Sequence, residues 1–132
     1  NYFALILDDK AEAELNVKSE STSIELSKNS NLKALIASPE FKIDMYQKST
    51  ALIEGTVTNG KIRLDNNSHF TAPKLIIGSL ELDADGYAKC EVNVSNTLTL
   101  AASGKSQIEL WGEQKIFIKK FLNNTLLHKK EK

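Results

Sequence analysis

The stretch that decides the fold is residues 80–108, LELDADGYAKCEVNVSNTLTLAASGKSQI. It opens with an apolar pair, Leu80 and Leu82, passes through the small polar run DADG (83–86), and reaches a second pair, Ala88 and Cys90. The same order then returns as Leu98 and Leu100, the run ASGK (102–105), and Ser106 with Ile108. Alternation with a period of two is the mark of a strand buried on one side. The return of the whole pattern, from Leu80 to Leu98, marks a repeat.

Outward from this segment, the first pair recurs along the whole chain, as Leu5/Leu7, Ile24/Leu26, Ile43/Met45, Ile62/Leu64, Leu80/Leu82, Leu98/Leu100 and Ile116/Ile118. The step is about 19 residues as far as Ile62 and about 18 residues after it, the spacing of a solenoid repeat. Second pairs follow at Ala13/Leu15, Leu32/Ala34, Ala51/Ile53, Phe70/Ala72, Ala88/Cys90, Ser106/Ile108 and Asn124/Leu126. The sixth position after each first-pair residue reads Ala11, Ser30, Ser49, Ser68, Gly86 and Gly104, as a tight bend with no room for a large side chain requires. Helix is a poor alternative, given the absence of a 3.6-residue apolar stripe and the abundance of Val, Ile, Thr, Ser and Asn.

Units this short cannot close a core alone, whereas stacked units bury one continuous column per strand. The pattern therefore predicts an all-β, single-stranded parallel β-helix of about seven coils. At about 4.8 Å per coil the rod is roughly 34 Å long. Left-handed β-helices repeat an aliphatic residue at every sixth position. Here those positions hold Ser68, Gly86 and Gly104, and strand-crossover chirality also favours the right-handed form. The β-helix is expected over residues 1–127, followed by a charged tail at 128–132, HKKEK. Phe121, Leu122, Asn124 and Leu127 fall off register and read as a cap. The first coil begins almost at Asn1, which suggests the C-terminal part of a longer domain or an edge that pairs with another chain.

Seventeen basic residues balance seventeen acidic ones, and only Arg63 among the cations carries the guanidinium fork suited to phosphate, so nucleic acid is not an expected partner. No apolar run reaches the roughly 20 residues that a membrane helix needs. Cys90 is the single cysteine and reads as a small core residue between Ala72 and Ile108. His69 and His128 lie about three coils apart and read as surface residues rather than metal ligands. DADG resembles the opening of a calcium loop but lacks its later ligands, so it reads as an Asp-Gly turn, with no metal or cofactor implied. Asp65 and Asp83 are expected one coil apart on the outer surface, like a carboxylate pair. With coils so nearly equal in length, however, no loops wall a cleft around them, and no catalytic residue is assigned. Tyr46, Tyr87 and Trp111 are the candidate binding residues, since exposed aromatic rings stack on sugars or anchor protein partners.

The run 88–130 resembles the closing repeats of the head GIN domain, a family of auto-transporter adhesins of Gram-negative bacteria. The similarity rests on Leu98 to Leu100, on Ser103-Gly104-Lys105-Ser106, on Ile108 to Leu110, and on Trp111-Gly112-Glu113-Gln114. In earlier coils NSN, KST and NSH stand in place of the Ser-Gly-x-Ser element. The resemblance implies a right-handed β-helix exported to the periplasm, outer-membrane surface or extracellular space. It supplies no ligand and no catalytic residue. The leading expectation is a non-enzymatic adhesion or scaffold module that presents a rigid face to glycan or protein partners. The alternative is a self-assembling structural β-helix like the bactofilins, joined end to end through its first coil. The charged tail and the absence of a Gly-Asp repeat pattern stand against that alternative. A polysaccharide-cleaving β-helix enzyme comes third.

Overall fold

The computed structural model describes residues 2–121 and 125–130. Leu122 and Asn124 of the expected cap, and Glu131 and Lys132 of the expected tail, lie outside the described residues. The fold is all strand and parallel, a β-solenoid of about seven turns. Its elements are β1 (Tyr2–Leu7), β2 (Glu12–Lys18), β3 (Ser21–Leu26), β4 (Asn31–Met45), β5 (Thr50–Leu64), β6 (His69–Ala84), β7 (Lys89–Ala102), β8 (Gln107–Trp111), β9 (Lys115–Phe121) and β10 (Leu126–Lys129).

Each coil contributes two extended segments joined by a four-residue turn. The segment before the turn stacks β1 on β3, then on the second halves of β4, β5, β6 and β7, then on β9. The segment after it stacks β2 on the first halves of β4 to β7, then on β8 and β10. The long strands bend where alternation breaks. In β4, Ser38 and Phe41 face inward while Pro39 and Glu40 between them both face solvent, and the Ser38 hydroxyl closes this corner by donating to the Glu40 carbonyl at 2.8 Å.

The inward columns form the core. Ile24, Ile43 and Ile62 stack in register, as do Leu32, Ala51 and Phe70, and all are buried. Past coil four the pile differs from the expected one. Ile62 pairs with Leu82, not Leu80, and Leu64 with Ala84, not Leu82. Leu100 therefore lies over Leu82 and Ile62, whereas Leu64 lies under Ala84 and Ala102. Likewise Cys90 sits between Phe70 and Ile108, and not next to Ala72. The cause is local. His69 pairs with Lys89, a longer step than any expected from the apolar pairs. The register of this coil shifts between Leu52 and Gly55 on one side and between Ala72 and Ile76 on the other. Pro73 lies in this irregular segment, and its lack of an N–H suits it to a break in the ladder.

The end coils are thinner. Leu5 and Ile116 are only partly buried against the core. Ile118 keeps its ladder partner Leu100 but is 54% exposed, in the last of the described coils along this column. Leu127 rather than Leu126 takes the inward place over Ile108, and Leu126 faces solvent. His128 and Lys129, expected in the tail, extend the ladder by pairing with Glu109 and Leu110.

The core is sealed from both sides at every interior coil, so a charge placed there has no partner. Leu100→Asp, at a fully buried position, is expected to cost at least about 3 kcal/mol and to abolish the cooperative melt followed by circular dichroism. Gly55 has φ +127, and a Cβ there would stand 1.9 Å from the Ile36 carbonyl oxygen. Gly55→Ala is expected to lose about 2 kcal/mol or more in urea denaturation, while Ala37→Gly, at an exposed position in the neighbouring coil, loses under about 1 kcal/mol.

Candidate interaction surface

The turn between the two segments of each coil makes one long edge of the solenoid, and its side chains follow from the backbone it must adopt. In the first four turns both central residues have positive φ: Asp9 and Lys10, Lys28 and Asn29, Gln47 and Lys48, Asn66 and Asn67. In the next two only the first does, and it is glycine, Gly86 and Gly104. Asn tolerates this region and Gly enters it freely, whereas Lys and Gln do so at a cost that the ladder offsets. Turn amides bond across coils, as Lys48 N–H to Asn66 O at 2.9 Å and Lys105 N–H to Gly86 O at 2.8 Å show.

The turn ends in a buried small residue, and the column reads Ser30, Ser49, Ser68, Ala88 and Ser106. The expected column had Gly86 and Gly104 in line with the serines, but the lengthened coil places them over Asn66 at the left-handed position instead. A hydroxyl buried in an apolar stack needs a partner. Ser30 donates to the Ser27 carbonyl, Ser68 to the Asp65 carbonyl at 2.5 Å, and Ser106 to the Ser103 carbonyl at 2.7 Å.

The first position of the turn carries Asp8, Ser27, Tyr46, Asp65, Asp85 and Ser103. Asp83 is thus not the neighbour of Asp65. It pairs with Arg63, and Asp85 stands over Asp65. Asp85 is committed locally, its Oδ1 accepting from the Gly86 N–H at 2.7 Å and the Ser103 hydroxyl at 2.8 Å. These two bonds, the Ser103 one foremost, hold its carboxyl below the ordinary value of 3.8. Among the described residues no group of three or more His, Cys, Asp or Glu side chains is arranged to hold a metal ion. His69 and His128 are both exposed. Cys90 is fully buried, and desolvation pushes its thiol far above the usual range, so the nucleophilic thiolate does not form.

Two of the three candidate aromatics share this edge. Tyr46 lies between Ser27 and Asp65, its N–H bonded to the Leu26 carbonyl at 2.9 Å. Partial burial raises its phenol above 10.0, with Asp44 adding to the shift and Arg63 opposing it, so it remains a neutral hydroxyl donor at physiological pH. Tyr87, 55% exposed, occupies the third turn position two coils further on, roughly 10 Å along the axis. The Lys105 ammonium lies 5.7 Å from its ring centroid.

Trp111 is not part of that row. It ends β8, beside Asn93 in the ladder and five residues beyond Ser106, about 16 Å from the turn edge. Its indole N–H donates to Glu91 Oε2 at 2.8 Å. Lys130 Nζ lies 5.6 Å from its ring centroid and 3.5 Å from Glu109 Oε2. Sequence reading missed Glu91 and Lys130, since a contact across coils and one from the chain's last strand leave no local signal. The strand faces themselves bear open strips, such as the one among Glu14, Lys33, Leu35 and Leu52.

Residues 4–113 match the family described as "Putative auto-transporter adhesin, head GIN domain". The chain belongs to this family. The match takes in the early coils of this head GIN domain as well as the later ones that carry the Ser-Gly-x-Ser element. No curated protein and no solved structure matches the chain.

The Asp85–Ser103 bond makes a test of the turn geometry. Because the folded carboxyl is held below 3.8, its contribution to stability is present above that pH and fades as pH falls through the lowered value. Ser103→Ala is expected to raise the Asp85 titration midpoint toward the ordinary range, measured by carboxyl-carbon NMR; an unchanged midpoint would mean that the hydroxyl does not support the charge.

Proposed function

We propose that this head GIN domain is a non-enzymatic adhesion module of an exported protein, which binds glycan or protein partners along its turn edge through Tyr46 and Tyr87. The family supports an adhesin-like, cell-surface role. The observation that carries the site is the placement of the two rings on one edge, two coils apart, on a backbone locked by inter-coil hydrogen bonds. Rings held in fixed positions lose little entropy on binding. Their axial separation of roughly 10 Å is of the order of two sugar units, and the neutral phenol of Tyr46 offers a hydrogen-bond donor beside its ring. Trp111, with its N–H engaged by Glu91 and its ring covered by Lys130, serves in this reading to fasten the last strand.

The test is a glycan-array and surface-protein screen of the parent and of three variants. Tyr46→Ala and Tyr87→Ala are each expected to weaken a bound partner about tenfold or more. Trp111→Ala is expected to leave binding unchanged and to lower the melting temperature. Binding indifferent to both tyrosines would remove the edge as the site, and binding lost only in the Trp111 variant would move it to the opposite edge.

A further inference from the structure

We infer that the partner of the turn edge is an acidic polysaccharide, a chain with an anionic group on every second sugar, held along the flank that follows the turns. This ligand class rests on the turn edge proposed above and adds to it the charge that the partner carries. The chain has no net charge, yet its charges are sorted across this edge.

Coils two to six, all interior, show the sorting. Ahead of the turns, the last outward strand position reads Glu25, Asp44, Arg63, Asp83 and Ala101 in ladder register. The first turn position beside it adds Asp65 and Asp85, so this flank holds five carboxylates and one cation. Behind the turns the sign reverses. The third turn position reads Asn29, Lys48, Asn67, Tyr87 and Lys105. The first outward strand position next to it reads Asn31, Thr50, His69, Lys89 and Gln107. Every side chain of these two columns is exposed, and none is a carboxylate.

The cations of this strip are unspent. Among the described residues, Lys48, Lys89 and Lys105 form no ion pair with a carboxylate, and Lys105 lies instead against the Tyr87 ring. The carboxylates that border the strip beyond Lys89 and Gln107 are engaged elsewhere, Glu91 by the Trp111 indole N–H and Glu109 by Lys130. A ligand laid along the strip therefore meets ammonium groups, hydrogen-bonding amides and one aromatic face. Sugar hydroxyls suit the amides, sugar ring carbons suit Tyr87, and an anion suits the lysines. Lys48 and Lys89 stand two coils apart, roughly 10 Å along the axis. This is the same repeat as the two tyrosines, and a carboxylate on alternate sugars meets both lysines. Each exposed ion pair is weak, but a rigid strip engages several at once. The carboxylates ahead of the turns repel the same chain and confine it to the basic flank. Tyr46, two residues before Lys48 in the same turn, stands at the border between the flanks.

Titration calorimetry of the 132-residue chain with two probes tests this. One is hyaluronan oligosaccharides, with a carboxylate on every second sugar, and the other is neutral chito-oligosaccharides of equal length. The parent is expected to bind the charged probe at least about tenfold more tightly, and to lose most of that advantage between about 20 mM and 500 mM salt. Lys48→Gln/Lys89→Gln is expected to weaken the charged probe about fivefold or more, and Lys48→Arg/Lys89→Arg to retain it. Lys42→Gln/Lys61→Gln, on the strand face ahead of the turns, changes it less than about twofold. All these side chains face solvent, and circular dichroism melts verify that each variant folds. Equal affinity for the two probes, or charged-probe affinity unchanged in Lys48→Gln/Lys89→Gln, overturns the acidic ligand and leaves the tyrosine edge standing. Charged-probe binding indifferent to Tyr46→Ala and Tyr87→Ala overturns the tyrosine edge and the acidic ligand with it. Absence of binding to both probes overturns the acidic ligand alone. Polyglutamate that competes as well as hyaluronan at equal charge overturns it too, and would give the strip to acidic peptides.

Discussion

The structure depends on one constraint: every coil must offer its backbone to the coils above and below in register, so the side-chain column at each position is inherited from coil to coil. Parity follows from it. A residue that faces inward in one coil stands over an inward residue in the next, and the apolar pile from Ile24 to Leu100 is the consequence. The outer surface follows from it as well, since whatever projects from one turn is repeated at about 4.8 Å intervals along the edge. A β-solenoid is therefore stiff where it is continuous and vulnerable where it stops.

The turn edge shows how local chemistry serves that constraint. Left-handed residue pairs let the chain turn within four residues, and Ser30, Ser68 and Ser106 return a buried hydroxyl to the turn carbonyl three residues earlier. Where glycine takes the first left-handed position, held in earlier turns by Asp9, Lys28, Gln47 and Asn66, Asp85 and Ser103 tie two turns together from outside. The aromatics that share this edge are held by the same scaffold. In the first and last of the described coils, Leu5, Ile116 and Leu127 of the inward columns are only partly buried.

Alternation made the architecture readable in residues 80–108 alone, because a period of two combined with the return of the pattern from Leu80 to Leu98 has few other solutions. The same feature hid the register error past coil four. A slip by two residues keeps every side chain on its own side of the sheet, so Leu80/Leu82 and Leu82/Ala84 are equally acceptable partners for Ile62/Leu64 by hydrophobicity. What separates them is the extra length around Pro73, which a count of apolar pairs spreads over neighbouring coils. The displaced assignments of Asp83, Gly86, Gly104 and Cys90 all descend from that one step.

The sequence by itself determined the fold class, the number of coils, the inward parity of the core and the candidacy of Tyr46, Tyr87 and Trp111, since each of these depends on residue type and spacing within a coil or two. Only the tertiary structure decided which tyrosines share an edge, that Trp111 is clasped by Glu91 and Lys130, that Asp85 rather than Asp83 stands over Asp65, and how little covers Ile118. The physical reason is that contacts between coils are set by accumulated register. One irregular coil shifts every later partner, and no local pattern records the shift.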